Sequence, residues 1–236
     1  MSVQDTSVTL DWMRAGEQFF AAQLDGLDVS APSVLPGWTR GHVATHVARN
    51  ADALVRLATW ARTGVETPMY RSVADRNAQI QQGAGRPAAE LIADVAASAA
   101  ALQDAFAALD EAGWQAQVRT SRGRPIPGAE LPWMRVKEVW LHAVDLGAGA
   151  AVGDLPEGAV DLLLDEVCEY FSCAQGAPAL QLVPDDRPRT WAVTMGERPP
   201  IEVSGSAADL LAWLIGRSSG SGLKTADALP SLPAWL

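Results

Sequence analysis

The sequence predicts an α+β protein in which a bundle of helices is followed by a smaller domain with β-strands. Helix start and stop signals follow one another through the first two-thirds of the chain, and short strand-like segments between Pro-, Asp- and Gly-rich turns follow Gly176. The chain has 236 residues, 48% of them hydrophobic, which is enough to bury a substantial core. We therefore expect a helical domain over residues 1–176 and a small α/β domain over residues 177–236.

The helices of the first domain are predicted from their capping residues. Thr or Ser can cap a helix N-terminus, Pro suits the first turn, and Gly can end a helix in the left-handed conformation. These signals predict helices over residues 6–24, 39–64, 72–83, 87–113, 132–147 and 156–176. Thr6 and Thr39 are the expected caps of the first two helices. Four long antiparallel helices with apolar faces would form a bundle, and bundles build metal sites from inward-facing side chains of neighbouring helices.

The second domain is predicted from three short strands and one helix. The strands are expected over residues 179–183, 190–194 and 200–203, and the link over residues 114–128 in the first domain also has a strand- or loop-like pattern. Ser206 and Asp209 resemble a capping box for a helix that Gly216 ends.

Charge and hydropathy exclude several classes of partner. The formal net charge of -10 opposes binding to the phosphates of nucleic acid. No uninterrupted apolar stretch approaches the ~20 residues that span a bilayer, and no basic N-terminal region leads into an apolar run. We expect a cytoplasmic protein with small-molecule partners and no obligate protein partner.

The cysteines and tryptophans are expected to be structural. Cys168 and Cys173 are too few for a disulfide framework and lack CxxC spacing, so we expect both to pack in a helix. Trp38, Trp133 and Trp140 are expected to fill the core rather than to form a substrate cage.

The three histidines of the chain fall on two predicted bundle helices, which indicates a metal site. Glu138 and His142 are four residues apart and therefore share one face of a helix. His46 lies on the apolar stripe of the second helix and should face the interior. Zinc accepts imidazole nitrogen and carboxylate oxygen, and three protein ligands leave the open fourth position typical of catalytic zinc.

Two other interpretations of these residues remain open. An ExxxH pair also occurs as a hydrogen-bonded pair without a metal. His42 lies four residues before His46, and its use as a fourth ligand would close the metal to substrate. We favour a role for His42 at the helix start, or as a residue that supports a metal ligand without binding the metal itself.

Four segments resemble the mycothiol-dependent maleylpyruvate isomerase family: GWTRGHVATHVARNADAL, ETPMYRSVADRN, LPWMRVKEVWLHAVDLG and VSGSAADLLAWLIGR. The resemblance extends over nearly the full chain and implies a DinB-like four-helix bundle with a smaller α/β domain. It also implies zinc on His46, Glu138 and His142, and an Arg217 that is needed for activity. The further residues implied to border the thiol or the substrate are Tyr70, Arg76 and Asn77.

The resemblance implies isomerisation of maleylpyruvate to fumarylpyruvate by reversible addition of a thiolate. Neither cysteine of the chain is placed as a nucleophile, so mycothiol is the expected thiol cosubstrate. The alternatives are a mycothiol S-transferase that acts on other electrophiles and a non-catalytic zinc-binding protein.

Overall fold

The α+β class is confirmed by a computed structural model, which describes residues 5–196 and 199–235. The chain divides into two compact units, Met1–Ala150 and Ala151–Leu236. The helices are α1 (Thr6–Leu24), α2 (Arg40–Thr63), α3 (Val73–Gly83), α4 (Ala88–Ala107), α5 (Glu111–Gln115), α6 (Leu131–Asp145), α7 (Glu157–Cys173) and α8 (Ala207–Leu214). The strands are β1 (Gln117–Arg119), β2 (Pro125–Pro127), β3 (Leu180–Pro184), β4 (Trp191–Val193) and β5 (Ile201–Gly205).

The first unit is a four-helix bundle of α1, α2, α4 and α6. α1 packs against α6, α2 packs against both α4 and α6, and α3 lies beside α2. The helices bury apolar faces between them, including Phe20, Leu54, Leu102 and Val139. Burial of such side chains contributes roughly 1.5–3 kcal/mol each relative to exposure, so these faces hold the helices in fixed rotational positions.

Most ends of the helices lie within three residues of the predicted ones, and the caps of α1 and α4 differ from the expected ones for local reasons. Thr39 caps α2 through a capping box with His42, and Gly64 ends this helix with a φ of 71°. α1 is capped by Asp5 rather than by the expected Thr6, because the Asp5 carboxylate accepts a hydrogen bond from the Ser7 amide. α4 ends at Ala107 instead of continuing to residue 113, since Asp110 starts the separate helix α5 by accepting from the Gly113 amide.

One buried polar network joins all four helices of the bundle. Arg135 of α6 has no exposed surface, and its Nε donates to Glu17 of α1 at 3.1 Å. The same guanidinium donates to the Val47 carbonyl and to Asn50 Oδ1 on α2. Gln103 of α4 donates to the second oxygen of Glu17 at 2.7 Å. Because a buried charge is tolerated only with partners, this network fixes the rotation of α6 against its neighbours.

The strands form two small sheets, one in each unit. β1 and β2 form an antiparallel hairpin in the link where a strand or loop was expected. The sheet of the second unit has the order β4-β3-β5, in which β3 pairs antiparallel with β4 and parallel with β5. α8 begins after Ser206, whose hydroxyl accepts from the Asp209 amide as the capping box requires.

The boundary between the units lies at residues 150 and 151 rather than at the expected 176 and 177. The difference is α7, which packs against β4 and α8 of the second unit. Its buried face carries Leu163, Leu164, Val167 and Phe171. The helix signals of α7 were interpreted correctly, but helix type alone does not determine which core an apolar face joins.

The two cysteines differ from each other in burial, and so do the three tryptophans. Cys168 is buried in α7 as expected, whereas Cys173 at the end of the helix is exposed, so its expected packing role is wrong. Trp133 and Trp140 are buried, and Trp38 is half-buried. Among the described residues, no helix is long and apolar enough to cross a membrane.

Candidate active site

The structure brings His46, Glu138 and His142 together inside the bundle. One potential ligand atom from each lies within 4.8 Å of the others. Oε2 of Glu138 is 2.9 Å from Nε2 of His46 and 3.3 Å from Nε2 of His142. One carboxylate oxygen of α6 therefore faces an imidazole nitrogen on each of two helices.

The convergence follows from the spacing of polar residues along α6. Arg135, Glu138, His142 and Asp145 are separated by three or four residues and therefore lie along one face of the helix. His46 of α2 stands one turn before Asn50, which binds Arg135. The buried network of Arg135 thus holds the two helices in the register at which Glu138 meets His46.

The electrostatics of the cluster favour a negative carboxylate between a neutral and a positive imidazole when no metal is bound. Burial lowers the pKa of His46, although Glu138 opposes this effect. Burial alone would also lower the pKa of His142, but its hydrogen bonds to Asp145 and Glu138 raise it to about 9. Although burial disfavours ionisation of Glu138, the two imidazoles hold the pKa of this carboxyl well below its usual range.

The Nδ1 atoms of the two histidines, which face away from Glu138, have different hydrogen-bond partners. Nδ1 of His142 lies 2.9 Å from Oδ2 of Asp145, a carboxylate with no exposed surface. Nδ1 of His46 lies 3.2 Å from Nη2 of Arg76, which comes from α3. Asp145 is an acceptor and Arg76 is a donor, so the two contacts require different proton positions on the imidazoles.

The cluster fits a divalent metal ion such as zinc. Two imidazole nitrogens and one carboxylate oxygen are a donor set that zinc accepts, and three ligands leave a fourth position. His46 is 4% exposed, whereas 29% of the Glu138 side chain and 15% of the His142 side chain are exposed. The buried side of the cluster is thus fixed by protein, and its other side is open to a small molecule.

His42 lies outside the metal cluster, among the residues that the structure describes. Its Nδ1 accepts from the Thr39 amide at 3.1 Å, and its Nε2 lies 3.3 Å from Oε1 of Gln81. The predicted role of His42 at the helix start is therefore confirmed, and the fourth-ligand alternative has no support in the geometry.

Tyr70, Arg76 and Asn77 lie beside one another next to the cluster. The Arg76 guanidinium is 5.9 Å from the Tyr70 ring centroid and donates to Oδ1 of Asn77 at 3.2 Å. Burial, together with the charge of Glu138, raises the pKa of the Tyr70 hydroxyl, so this group is neutral near pH 7. Asn77 is exposed.

A cavity of about 470 Å³ extends from Tyr70 along α2 and α3. Its lining combines an aromatic ring and a proline with charged and amide groups: Arg56, Pro68, Tyr70, Arg71, Asp75 and Gln79. A cavity of this size accommodates a small ligand, and its mixed lining can orient polar groups.

Arg217 lies in the second unit, just after α8. Its Nη1 donates to the Ile215 carbonyl at 2.8 Å, at the C-terminal end of that helix. This contact is the one expected of a cation at the negative end of a helix dipole.

Sequence reasoning missed two residues that contact the cluster. Asp145 is three residues after His142, and this i,i+3 spacing on a predicted helix was the available signal. The ring of Trp38 lies edge-on to His46 at a centroid distance of 5.7 Å. No sequence pattern distinguishes Trp38 from a core tryptophan, because its position follows from how the 31–38 loop folds over α2.

Two family profiles match consecutive parts of this chain. The family profile described as the mycothiol maleylpyruvate isomerase N-terminal domain matches residues 13–147, and the profile described as the MDMPI C-terminal domain matches residues 154–234. These matches meet near residue 150, where the structure divides. No curated protein matches the sequence significantly.

Two solved structures are similar to this chain over 98% of both chains. One is the crystal structure of the mycothiol-dependent maleylpyruvate isomerase, with 35% sequence identity and a TM-score of 0.92. The other is a mutant of that isomerase in which a histidine is replaced by alanine, with 34% identity and the same TM-score. With both profiles matched and this similarity over its full length, the chain belongs to the mycothiol-dependent maleylpyruvate isomerase family.

Proposed function

We propose that this protein catalyses the mycothiol-dependent conversion of maleylpyruvate to fumarylpyruvate, with a zinc ion held by His46, Glu138 and His142. The observation that carries the proposal is the cluster of these three residues in a chain that resembles a solved isomerase over its full length.

The reaction requires a nucleophile that can add and leave again. A thiolate sulfur adds to one alkene carbon, and the electron pair of the double bond moves onto the conjugated carbonyl as an enolate. The former double bond is then single and can rotate. When the enolate electrons return, the carbon–sulfur bond breaks and the thiolate leaves the trans alkene, so no thiol is consumed.

The chain supplies no thiol of its own for this step. Cys168 is buried, and burial raises its pKa to about 12, so it is protonated near pH 7. Cys173, at the exposed end of α7, does not belong to the described cluster of His46, Glu138 and His142. A small-molecule thiol is therefore the proposed nucleophile.

The residues of the cluster act as ligands rather than as general bases. A bound zinc ion would stabilise the thiolate form of the cosubstrate and lower its effective pKa. Glu138 contributes a negative charge that offsets the charge of the ion, and the two imidazoles contribute neutral nitrogen donors. The burial of His46 keeps water from the inner side of the site.

Arg76, Tyr70 and Asn77 are the proposed contacts to the thiol or the substrate. Arg76 can bind a carboxylate of the dianionic substrate through its planar guanidinium. The neutral Tyr70 hydroxyl can donate to a developing oxyanion. The cavity that begins at Tyr70 provides space for the remainder of the ligand.

The proposal is tested by following maleylpyruvate through its ultraviolet absorbance with zinc-loaded protein at catalytic concentration. The reaction is run with and without mycothiol, and the remaining thiol is titrated at the end. Fumarylpyruvate that forms only with mycothiol, without net loss of thiol, supports the isomerase. Thiol consumed in proportion to product identifies a mycothiol S-transferase, and zinc binding without any reaction identifies a non-catalytic zinc protein.

A further inference from the structure

The two histidines of the cluster differ in the hydrogen-bond partner of Nδ1, and this partner affects how each histidine can bind a metal ion. A neutral imidazole carries one proton, and a nitrogen that binds a metal must offer a lone pair. When Nε2 binds the metal, the proton is on Nδ1, and the group beside Nδ1 must accept a hydrogen bond. The partner of each Nδ1 therefore determines whether that histidine is ready for metal.

His142 is held in the orientation that metal binding through Nε2 requires. Its Nδ1 faces the Asp145 carboxylate at 2.9 Å, and a carboxylate can only accept from this nitrogen. A proton is thus kept on Nδ1, while Nε2 is directed toward Glu138 and gives up its own proton when the metal binds there. Asp145 has no exposed surface and lies one turn after His142 on the same helix, so the contact is built into α6.

His46 is held in a tautomer that does not suit metal binding through Nε2. Its Nδ1 faces Nη2 of Arg76 at 3.2 Å, and a guanidinium has only N–H donors. Nδ1 must therefore accept, which places the proton on Nε2, where it is donated to Glu138 at 2.9 Å. A metal ion on Nε2 would move this proton to Nδ1, and two N–H groups would then face each other. Arg76 must leave His46 when the metal binds.

We propose that Asp145 and Arg76 act on metal binding with opposite signs: Asp145 positions His142 for the metal, and Arg76 holds His46 in the competing tautomer until the metal displaces it. This inference rests on the zinc site of the proposed function. When the metal displaces Arg76 from His46, the guanidinium beside Tyr70 becomes free to bind a carboxylate of the substrate.

The test compares zinc affinities of full-length variants by competition with a chelating dye. Asp145→Asn keeps the shape of the side chain but removes its charge, and it should raise the Kd for zinc about 10- to 100-fold. Arg76→Gln replaces the guanidinium by an amide whose oxygen can accept from Nδ1, and it should lower the Kd roughly two- to tenfold. A purely structural role would weaken binding in both variants.

Matched controls separate these effects from general losses of charge. Asp94→Asn removes a carboxylate that pairs with Arg49 and Arg86 but contacts no residue of the cluster. Arg122→Gln removes a positive charge from the β1–β2 hairpin of the same unit, and Arg122 is exposed. Both control variants should bind zinc within about twofold of wild type, and circular dichroism should show the same helix content for all four variants.

A nitrogen-15 NMR spectrum of the histidine rings gives a second, direct readout, since the chain has only three histidines. Metal-free wild-type protein should carry the His46 proton on Nε2, and zinc should move it to Nδ1. A metal-free His46 protonated on Nδ1, or weaker zinc binding by Arg76→Gln, would overturn the role of Arg76. A folded Asp145→Asn variant with wild-type affinity would overturn the role of Asp145. Wild-type protein that binds no zinc would instead contradict the proposed function itself, and this inference with it.

Discussion

At the scale of single residues, the chemistry of each side chain is decided by its neighbours. His42 and His46 are one turn apart on α2, yet the first caps the helix and the second belongs to the metal cluster. The same holds for the cysteines, of which one is buried and one is exposed. Residue type gives the available chemistry, and the immediate contacts determine which part of it is used.

The family resemblance implies that Arg217 is needed for activity, and a conservative substitution tests this expectation. Arg217→Lys keeps the charge but loses the planar fork that can bind a carboxylate through two hydrogen bonds. We expect zinc content and fold to be retained and kcat/KM for maleylpyruvate to fall about 10- to 100-fold, as loss of a charge-assisted hydrogen bond predicts. Arg189→Lys, at an exposed ion pair with Asp165, is the control. Unchanged turnover in Arg217→Lys would contradict the expectation that this residue is needed for activity.

The two cysteines should differ in their reaction with iodoacetamide at pH 8. With a pKa of about 12, roughly one Cys168 thiol in 10,000 is ionised at this pH, and its burial also blocks access. Cys173 is exposed and should be alkylated in the native protein, whereas Cys168 should react only after denaturation. Peptide mass spectrometry measures both sites. Rapid native alkylation of Cys168 would show that α7 opens or that the thiol is more acidic than its burial indicates.

At the scale of elements, the polar stripe of α6 links stability to the site. Arg135 joins this helix to α1 and α2, and Glu138, His142 and Asp145 follow it on the same face. A rotation of α6 would break the Arg135 network and move both of its cluster residues together. The orientation of α6 therefore determines the positions of the stabilising Arg135 and of the cluster residues Glu138 and His142 at the same time.

This dependence predicts a large loss of stability from Arg135→Met. The variant leaves the Glu17 carboxylate buried without its ion-pair partner, which typically costs about 3–5 kcal/mol. The free energy of unfolding is measured by urea titration at pH 7. The double variant Arg135→Met with Glu17→Leu should recover most of the loss, because neither charge is then buried. Arg14→Ala, at the exposed pair with Asp11, should change stability by less than about 1 kcal/mol.

At the scale of the whole molecule, the two units differ in what their cores contain. The first unit holds a buried charged network and the candidate metal ligands within a helical bundle, whereas the second unit packs α7 and α8 with a three-stranded sheet. Each unit matches a separate profile of one family, so the similarity to this family covers both domains.

Zinc should stabilise the whole protein against heat, since a metal that binds only the folded state adds RT ln(1 + [Zn]/Kd) to its stability. At a free zinc concentration of 100 times Kd this amounts to about 2.7 kcal/mol, or roughly 5–10 °C in Tm for a chain of this size. Differential scanning calorimetry with zinc and with a chelator measures the shift. Glu138→Gln should reduce the shift sharply, and an equal Tm of wild type in both conditions would contradict the proposed metal site.

Much of the fold could be predicted because helix ends are local. The capping signals at Thr39, Gly64 and Ser206 were interpreted correctly, since each satisfies backbone groups within a few residues. The three cluster residues were selected from spacing and from the small number of histidines. The assignment of α7 to the first domain failed because an apolar face does not specify its partner.

By itself the sequence determined most of the helices, the three strands of the second unit, which family the chain resembles, and which three residues could bind a metal. Only the tertiary structure decided that α7 packs with the second unit and that the network of Arg135, Glu17 and Gln103 joins four helices. It also decided that a carboxylate, Asp145, faces one histidine and that a guanidinium, Arg76, faces the other. The physical reason is the distance along the chain over which each interaction acts. Caps and periodicity act over one or two helical turns, whereas the proton position on a buried imidazole depends on groups that packing brings together from distant parts of the chain.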